Sequence, residues 1–284
     1  MLNLKRAVVG AFQRNSSAIS FLVLAFFIML VLSTVYLALF FTPAQFENLP
    51  EVREYDNMLE NVSKMDDFSR TQFYWANNLK VAGVFAVSAP FYFGANAVLF
   101  TGYNVGLALV FNYNNYGPQL MLAFASEIFL HGVLELTGIF IVGAASFRIG
   151  WKIWEFLGSL IKVGFEKKSF RKSQAAVKQY LVDYTLMIAL GSLMIFFAAP
   201  IEAYVSPVAL VIFFFYPPVA IVFLAVVILF YASIVRRGFM QMRRVIISIW
   251  KELKTVFLGK WRPAQLSFLM LVIFSLLIWF GLIF

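Results

Sequence analysis

Glu127, His131 and Glu135 follow one another at intervals of four within Ala125 to Gly150, a run that is otherwise almost wholly apolar. At about 100° of helical turn per residue, the three share one stripe of a helix. His131 is the only histidine in the chain. Ionisable groups inside hydrocarbon are costly and carry a partner or a task. Three chemistries suit these residue types. Glutamates beside a histidine suit a proton or ion relay. A lone histidine with two carboxylates suits zinc or manganese. A serine with a histidine suits nucleophilic catalysis. The last two are poorly supported by the spacing. Glu135 follows His131 by four, which is not the HExxH arrangement, and a zinc peptidase would need a second histidine. Ser126 lies about 140° around the helix from His131. No catalytic residue and no metal ligand set is therefore assigned, and no motif calls for a cofactor. The bland alternative is that the stripe pairs with Asn, Tyr or Trp of neighbouring helices and holds a bundle in register. Asn104 and Glu202, which border apolar segments, complete the expected intramembrane polar site.

Such a stripe needs a membrane bundle around it, and the composition supplies one. Of 284 residues 62% are hydrophobic and 13% charged; soluble domains carry about 25% charged residues. Mean hydropathy is +0.84. The net charge of +9 lies beside apolar segments, which favours anionic lipid headgroups over nucleic acid as its partner. The chain has no cysteine, which excludes disulfides, thiolate catalysis and Cys-zinc sites.

In chain order, 1–17 reads as a short basic in-plane helix with Leu4, Val8 and Phe12 on one face. An uncleaved signal-anchor span follows over 18–41. The 42–78 loop carries three basic against seven acidic residues, and 51–73 has helical spacing. A second span covers 78–100, interrupted by Gly83, Pro90 and Gly94. The apolar piece 103–111 is short enough to be either a span or a re-entrant half-helix. The stripe-bearing span covers 119–147. Residues 148–181 carry eight basic against two acidic residues. A span over 182–200 ends at Pro200, and 201–207 reads as a tight connection. A further span covers 208–234, bent at Pro217-Pro218. Residues 235–263 carry eight basic residues and one acidic, with Phe239, Met242, Ile246, Trp250, Leu253 and Phe257 at amphipathic spacing. The last span is 264–284.

The basic segments place the N-terminus, 148–181 and 235–263 in the cytoplasm, with 42–78, 201–207 and the C-terminus outside. The expected fold is all-α: one polytopic transmembrane bundle over 1–284, five to seven spans with or without a re-entrant half-helix, and amphipathic cytoplasmic in-plane helices. Lys80, Asp183 and Glu202 fall near span ends, within reach of the interface. Gly132, Gly143 and Gly150 share a small-residue face for close packing, and Gly102 with Gly106 forms GxxxG. The face on the stripe helix looks larger than one neighbour needs, which points to a homo-oligomer.

The string His131-Gly132-Val133-Leu134-Glu135-Leu136, then Gly143-Ala144-Ala145 and Arg148-Ile149-Gly150, resembles the HGxxEL…GAAxxxxG signature of the stage II sporulation protein M family. Asn77-Asn78 before the second span agrees. So does Ile201-Glu202-Ala203 with Ser206-Pro207, similar to the family's IEAxxTP with Ser for Thr. The resemblance covers 77–207. It implies a polytopic cell-membrane protein that organises membrane or envelope partners, without catalysis of its own; in spore formers the namesake works with peptidoglycan-degrading proteins during engulfment. The residues themselves suggest an alternative, a channel or transporter for a proton, ion or lipid built on the Glu-His-Glu stripe. A polar cavity open to one side around His131 would favour passage; a dry, fully hydrogen-bonded cluster would favour a structural role.

Overall fold

The computed structural model describes residues 2–163, 167–257 and 263–279. Among them there is no strand. The helices are α1 (Leu2–Phe40), α2 (Pro43–Glu47), α3 (Pro50–Ser63), α4 (Asp67–Val87), α5 (Phe93–Val163), α6 (Lys167–Pro200), α7 (Ser206–Phe215), α8 (Pro217–Phe257) and α9 (Pro263–Trp279). A 3-10 turn, Ala89–Phe91, separates α4 from α5, and a π-helical turn, Ile201–Val205, joins α6 to α7.

Four of these helical stretches are long and apolar enough to cross a membrane: Leu4–Phe40, Gly94–Gly158, Val177–Phe215 and Pro217–Arg236. The second is not straight. Gly117 has φ +83° and ψ 179°, a conformation open almost only to glycine, and Pro118 follows it. The chain reverses there, so arms 93–116 and 118–163 lie side by side. With the two arms of α5 taken apart, the bundle is built from α1, α4, both arms of α5, the α6–α7 run, α8 and α9.

Contacts fix the alternation. At one end Arg148 donates to the Arg14 carbonyl and to the Tyr180 hydroxyl, and the Trp154 indole donates to the Pro90 carbonyl. At the other end Gln119 donates to the Phe214 carbonyl, and Leu37, Phe46, Val52, Leu107 and Phe111 form an apolar cluster. The central core joins α1, α5, α6 and α8 through residues such as Leu22, Phe26, Phe140, Ile195 and Tyr231. Phe26 and Phe140 meet edge-on at 5.4 Å, and Phe140 and Tyr231 at 5.7 Å, the geometry that ring quadrupoles favour.

Several expected boundaries move. Residues 1–17 are not a separate in-plane helix: α1 runs unbroken from Leu2, with Ala11 and Asn15 buried. The 103–111 piece is the middle of arm 93–116, which at 1.5 Å per residue reaches roughly 36 Å, so it is no half-helix. The expected second span divides at Ser88–Tyr92, where Tyr92 turns the chain at φ 56°. The 42–78 loop is largely helical, as α2, α3 and the start of α4. Pro217-Pro218 does not bend a span but starts α8, after Tyr216 breaks the chain at ψ 70°. The expected amphipathic segment 235–263 continues α8 without a break as far as Phe257; most of its side chains, and residues 258–262, lie outside the described residues.

The 201–207 connection is the largest correction. It is a π-helical turn inside one long helical run, with the Ser206 amide bonded to the Ile201 carbonyl. Pro200 has no amide hydrogen and frees the Phe196 carbonyl four residues earlier. The Trp75 indole of α4 donates to that carbonyl at 2.8 Å, and its ring stacks on Phe196 at 4.7 Å and 4°. At the end of α7 the Phe214 carbonyl has no donor within its own helix, and Gln119 of α5 caps it at 2.8 Å. Neighbouring helices thus make good the hydrogen bonds that proline removes.

Candidate functional site

The stripe lies on the second arm of α5, with a neighbour able to approach it closely. Across from Gly138, α6 carries Gly191. A Cβ added at Gly138 would stand 2.6 Å from the Gly191 carbonyl oxygen, and one added at Gly191 would stand 2.8 Å from that of Gly138. This crossing brings the α6–α7 run against α5 and leads it past His131 at the π turn. The extra residue in that turn places Glu202 and Ser206 on the side facing the imidazole. Such turns commonly occur at functional sites.

His131 is buried, with 7% of its surface exposed. Its Nδ1 lies 3.0 Å from the Ser206 hydroxyl and 3.8 Å from a Glu127 oxygen. On the far side of the ring, Nε2 lies 3.9 Å from a Glu135 oxygen and 3.8 Å from a Glu202 oxygen. These last two separations are too long for hydrogen bonds. One ligand atom each from His131, Glu135 and Glu202 falls within 4.8 Å of the others.

The cluster stands in a cavity of about 750 Å³. Its walls come from α4 (Tyr74, Asn78), the first arm of α5 (Thr101, Asn104), the second arm and α7. α3 covers it at the end remote from Arg148, with Tyr55, Leu59 and Val62 turned in. The opposite face of α3 exposes Glu51, Glu54 and Glu60. Arg70 is the one lysine or arginine among the residues lining the cavity. It is engaged elsewhere, 3.6 Å from Asp67 and donating to the Met65 carbonyl. Among the described residues no lysine or arginine pairs with Glu127, Glu135 or Glu202.

The structure therefore gathers all five residues of the expected polar site around one space. Glu127, His131, Glu135 and Glu202 form the cluster, and Asn104 lines the cavity wall. Two expectations about charge change. Glu202 stands beside the imidazole, 3.8 Å from Nε2. Asp183 is buried at 1% exposure, where Arg14 donates to both its oxygens at 2.6 Å and Gln179 donates at 3.0 Å. Lys80 is exposed on α4.

The glycines divide as well. Gly102 abuts the Phe26 carbonyl of α1, 2.8 Å from an added Cβ, and Gly106 abuts Ser33 and Thr34. Gly143 abuts the Gly94 carbonyl at 3.0 Å, and Gly150 the Ala89 carbonyl. Those contacts are made within this chain. Gly132 is not a packing residue: an added Cβ would meet only Leu136 of its own helix, at 3.5 Å, and the position lines the cavity. The sequence reading missed Ser206 as a partner of His131 and the Gly138–Gly191 crossing. Ser206 was visible only as part of the Ile201–Pro207 resemblance. Gly138 and Gly191 carry no motif that would mark them.

No curated protein and no solved structure matches the chain. A family model described as Stage II sporulation protein M matches residues 17–207, a range that adds the first long helix to the motifs legible in 77–207. It takes in α1 from residue 17, the α3 cover, both arms of α5 and the π turn, so every element that lines the cavity lies within it apart from α7 beyond Pro207. The chain is a membrane protein and belongs to the Stage II sporulation protein M family.

Proposed function

We propose that the protein handles a cation or proton inside its helical bundle, as a channel or carrier. The observation that supports this is the cavity beside His131, lined by three carboxylates that no described lysine or arginine neutralises. A purely structural cluster would close its hydrogen bonds and exclude solvent space. Here Nε2 and two carboxylates face each other at 3.8–3.9 Å across a gap. Uncompensated carboxylates in a low-dielectric site need a positive ligand or protons. In this reading the protein is a multi-pass cell-membrane protein with the Arg148 end and the N-terminus cytoplasmic. The Gly117 end, α3 and the C-terminus are extracytoplasmic. Basic residues at the cytoplasmic end meet anionic headgroups. Purified protein in vesicles should pass protons or metal cations faster than empty vesicles, and Glu135→Gln should remove the excess. Flux equal to that of empty vesicles would end this reading.

A second reading is supported by the family and by the acidic outer face of α2 and α3. The chain would then organise other membrane or envelope proteins, docking them on Glu51, Glu54 and Glu60, alone or as a homo-oligomer. Neither reading gives the chain catalysis of its own. Pull-down from intact membranes should recover the same partners repeatedly from wild type and lose them when those three glutamates become lysine. Recovery of the protein alone would reject it.

A further inference from the structure

We propose that His131, Glu135 and Glu202 form a binding site for a first-row divalent cation such as Mn²⁺ or Zn²⁺ at the inner end of the cavity. The proposal rests on the reading of the cavity as a ligand site and names the ligand class.

The geometry is that of a ligand set around a gap. The three donor atoms lie within 4.8 Å of one another, so a cation seated among them would stand roughly 2–2.5 Å from each, the range of metal–ligand bonds to nitrogen and oxygen. One imidazole with carboxylates is a donor set that suits manganese and zinc. The spacing of Glu135 after His131 gave no sign of this, because the third ligand arrives from the π turn and not from the stripe.

The imidazole is also held as a metal ligand would be. Metal-binding histidines donate their other ring N–H to an oxygen acceptor, which fixes the tautomer and ring orientation. Here Nδ1 lies 3.0 Å from the Ser206 hydroxyl and 3.8 Å from a Glu127 oxygen. With Nδ1–H donating to Ser206, Nε2 is left bare, 3.9 Å from Glu135 and 3.8 Å from Glu202.

Charge supports the same ligand. Arg70, at the cavity wall, is engaged with Asp67 and the Met65 carbonyl, so Glu127, Glu135 and Glu202 have no described lysine or arginine partner. A divalent cation would offset the charge these carboxylates carry on binding it. An independent observation lies in the same cavity. Asn78 is 8% exposed, lines the space, and its side-chain nitrogen has no hydrogen-bond partner. A buried amide without a partner is expensive. Cation-bound water or a bound anion would supply an acceptor.

The test uses the full chain, purified in detergent and stripped with a chelator. Mn²⁺ is titrated while the spin-resonance signal of the free ion is followed, and Zn²⁺ is titrated by calorimetry. One saturable equivalent is expected. Glu202→Gln should weaken it at least 10-fold, His131→Ala should abolish it, and Ser206→Ala should weaken it roughly 10-fold with the stoichiometry kept. Lys80→Gln, on an exposed face, should leave it unchanged. If His131→Ala does not fold, the near-isosteric Glu202→Gln decides. No saturable binding of either ion overturns the proposal, as does binding undiminished in Glu202→Gln. Binding of one equivalent without vesicle flux keeps this site and removes the transport reading. Flux without metal binding does the reverse.

Discussion

Replacing Gly138 and Gly132 by alanine should move stability in opposite directions. Both are helical glycines on one arm of α5, and each gains roughly 0.5–1 kcal/mol from the lower backbone entropy of alanine in the unfolded chain. Their surroundings differ. The Cβ of Gly138→Ala would stand 2.6 Å from the Gly191 carbonyl oxygen and 2.8 Å from Ile195 Cγ1. The first contact is backbone of α6, which recedes only if the α5–α6 crossing opens. Overpacking of this kind costs about 1–3 kcal/mol, more than the entropic gain, so the net loss is about 1–2 kcal/mol. The Cβ of Gly132→Ala meets ordinary contact with Leu136 at 3.5 Å and otherwise faces the cavity, so the gain stands. At about 2–4 °C per kcal/mol, thermal unfolding in detergent should show Gly138→Ala lower by roughly 2–8 °C and Gly132→Ala higher by roughly 1–4 °C. A neutral Gly138→Ala would refute the close crossing that sets the π turn beside His131. A destabilised Gly132→Ala would refute the open space next to the cluster.

Three further outcomes follow from the same geometry. Arg14→Ala leaves the buried Asp183 carboxylate without its bidentate partner and should cost about 3 kcal/mol in thermal unfolding, whereas replacing both residues by apolar ones should recover most of that. Trp75→Phe keeps a ring over Phe196 but strands the carbonyl that Pro200 frees, so it should cost about 1 kcal/mol, and Trp75→Phe with Pro200→Ala should restore stability. Asp66 caps α4 by accepting the Ser69 amide, which holds its carboxyl below the usual carboxylate range. A lowered folded-state pKa means the cap's contribution is complete above the usual carboxylate pKa and is lost as pH falls through the lower, folded value. Asp66→Ala should therefore speed amide exchange in the first turn of α4 at neutral pH, with the difference from wild type vanishing under acid conditions.

The sequence carried the stripe clearly, because four-residue spacing on a helix is a local property that no packing alters. It carried the membrane class for the same reason, since composition and apolar length are sums along the chain. The 201–207 segment was read as a connection because Pro200 and Pro207 are strong local signals for a helix end. Only the Trp75 indole, distant in sequence, makes a continuous run past Pro200 affordable. The reversal at Gly117 was readable as a break in the Asn-rich 112–116 segment. Its consequence, two full-length arms in place of a half-helix, depends on arm 93–116 packing along α1 through Gly102 and Gly106. Gly132 was grouped with Gly143 and Gly150 by angle alone. Angle fixes which residues share a face, not whether a neighbour or a cavity lies opposite.

The central claim is that an open space lies beside the His131 cluster, beneath α3. The chain has no cysteine, so single-cysteine variants report one position each. Asn104→Cys and Gly132→Cys, both on the cavity wall, should react with a charged, membrane-impermeant thiol reagent added from the extracytoplasmic side of vesicles. Val142→Cys, at 0% exposure against Gly191, should not. Protection of Asn104→Cys and Gly132→Cys to the level of Val142→Cys would contradict the account.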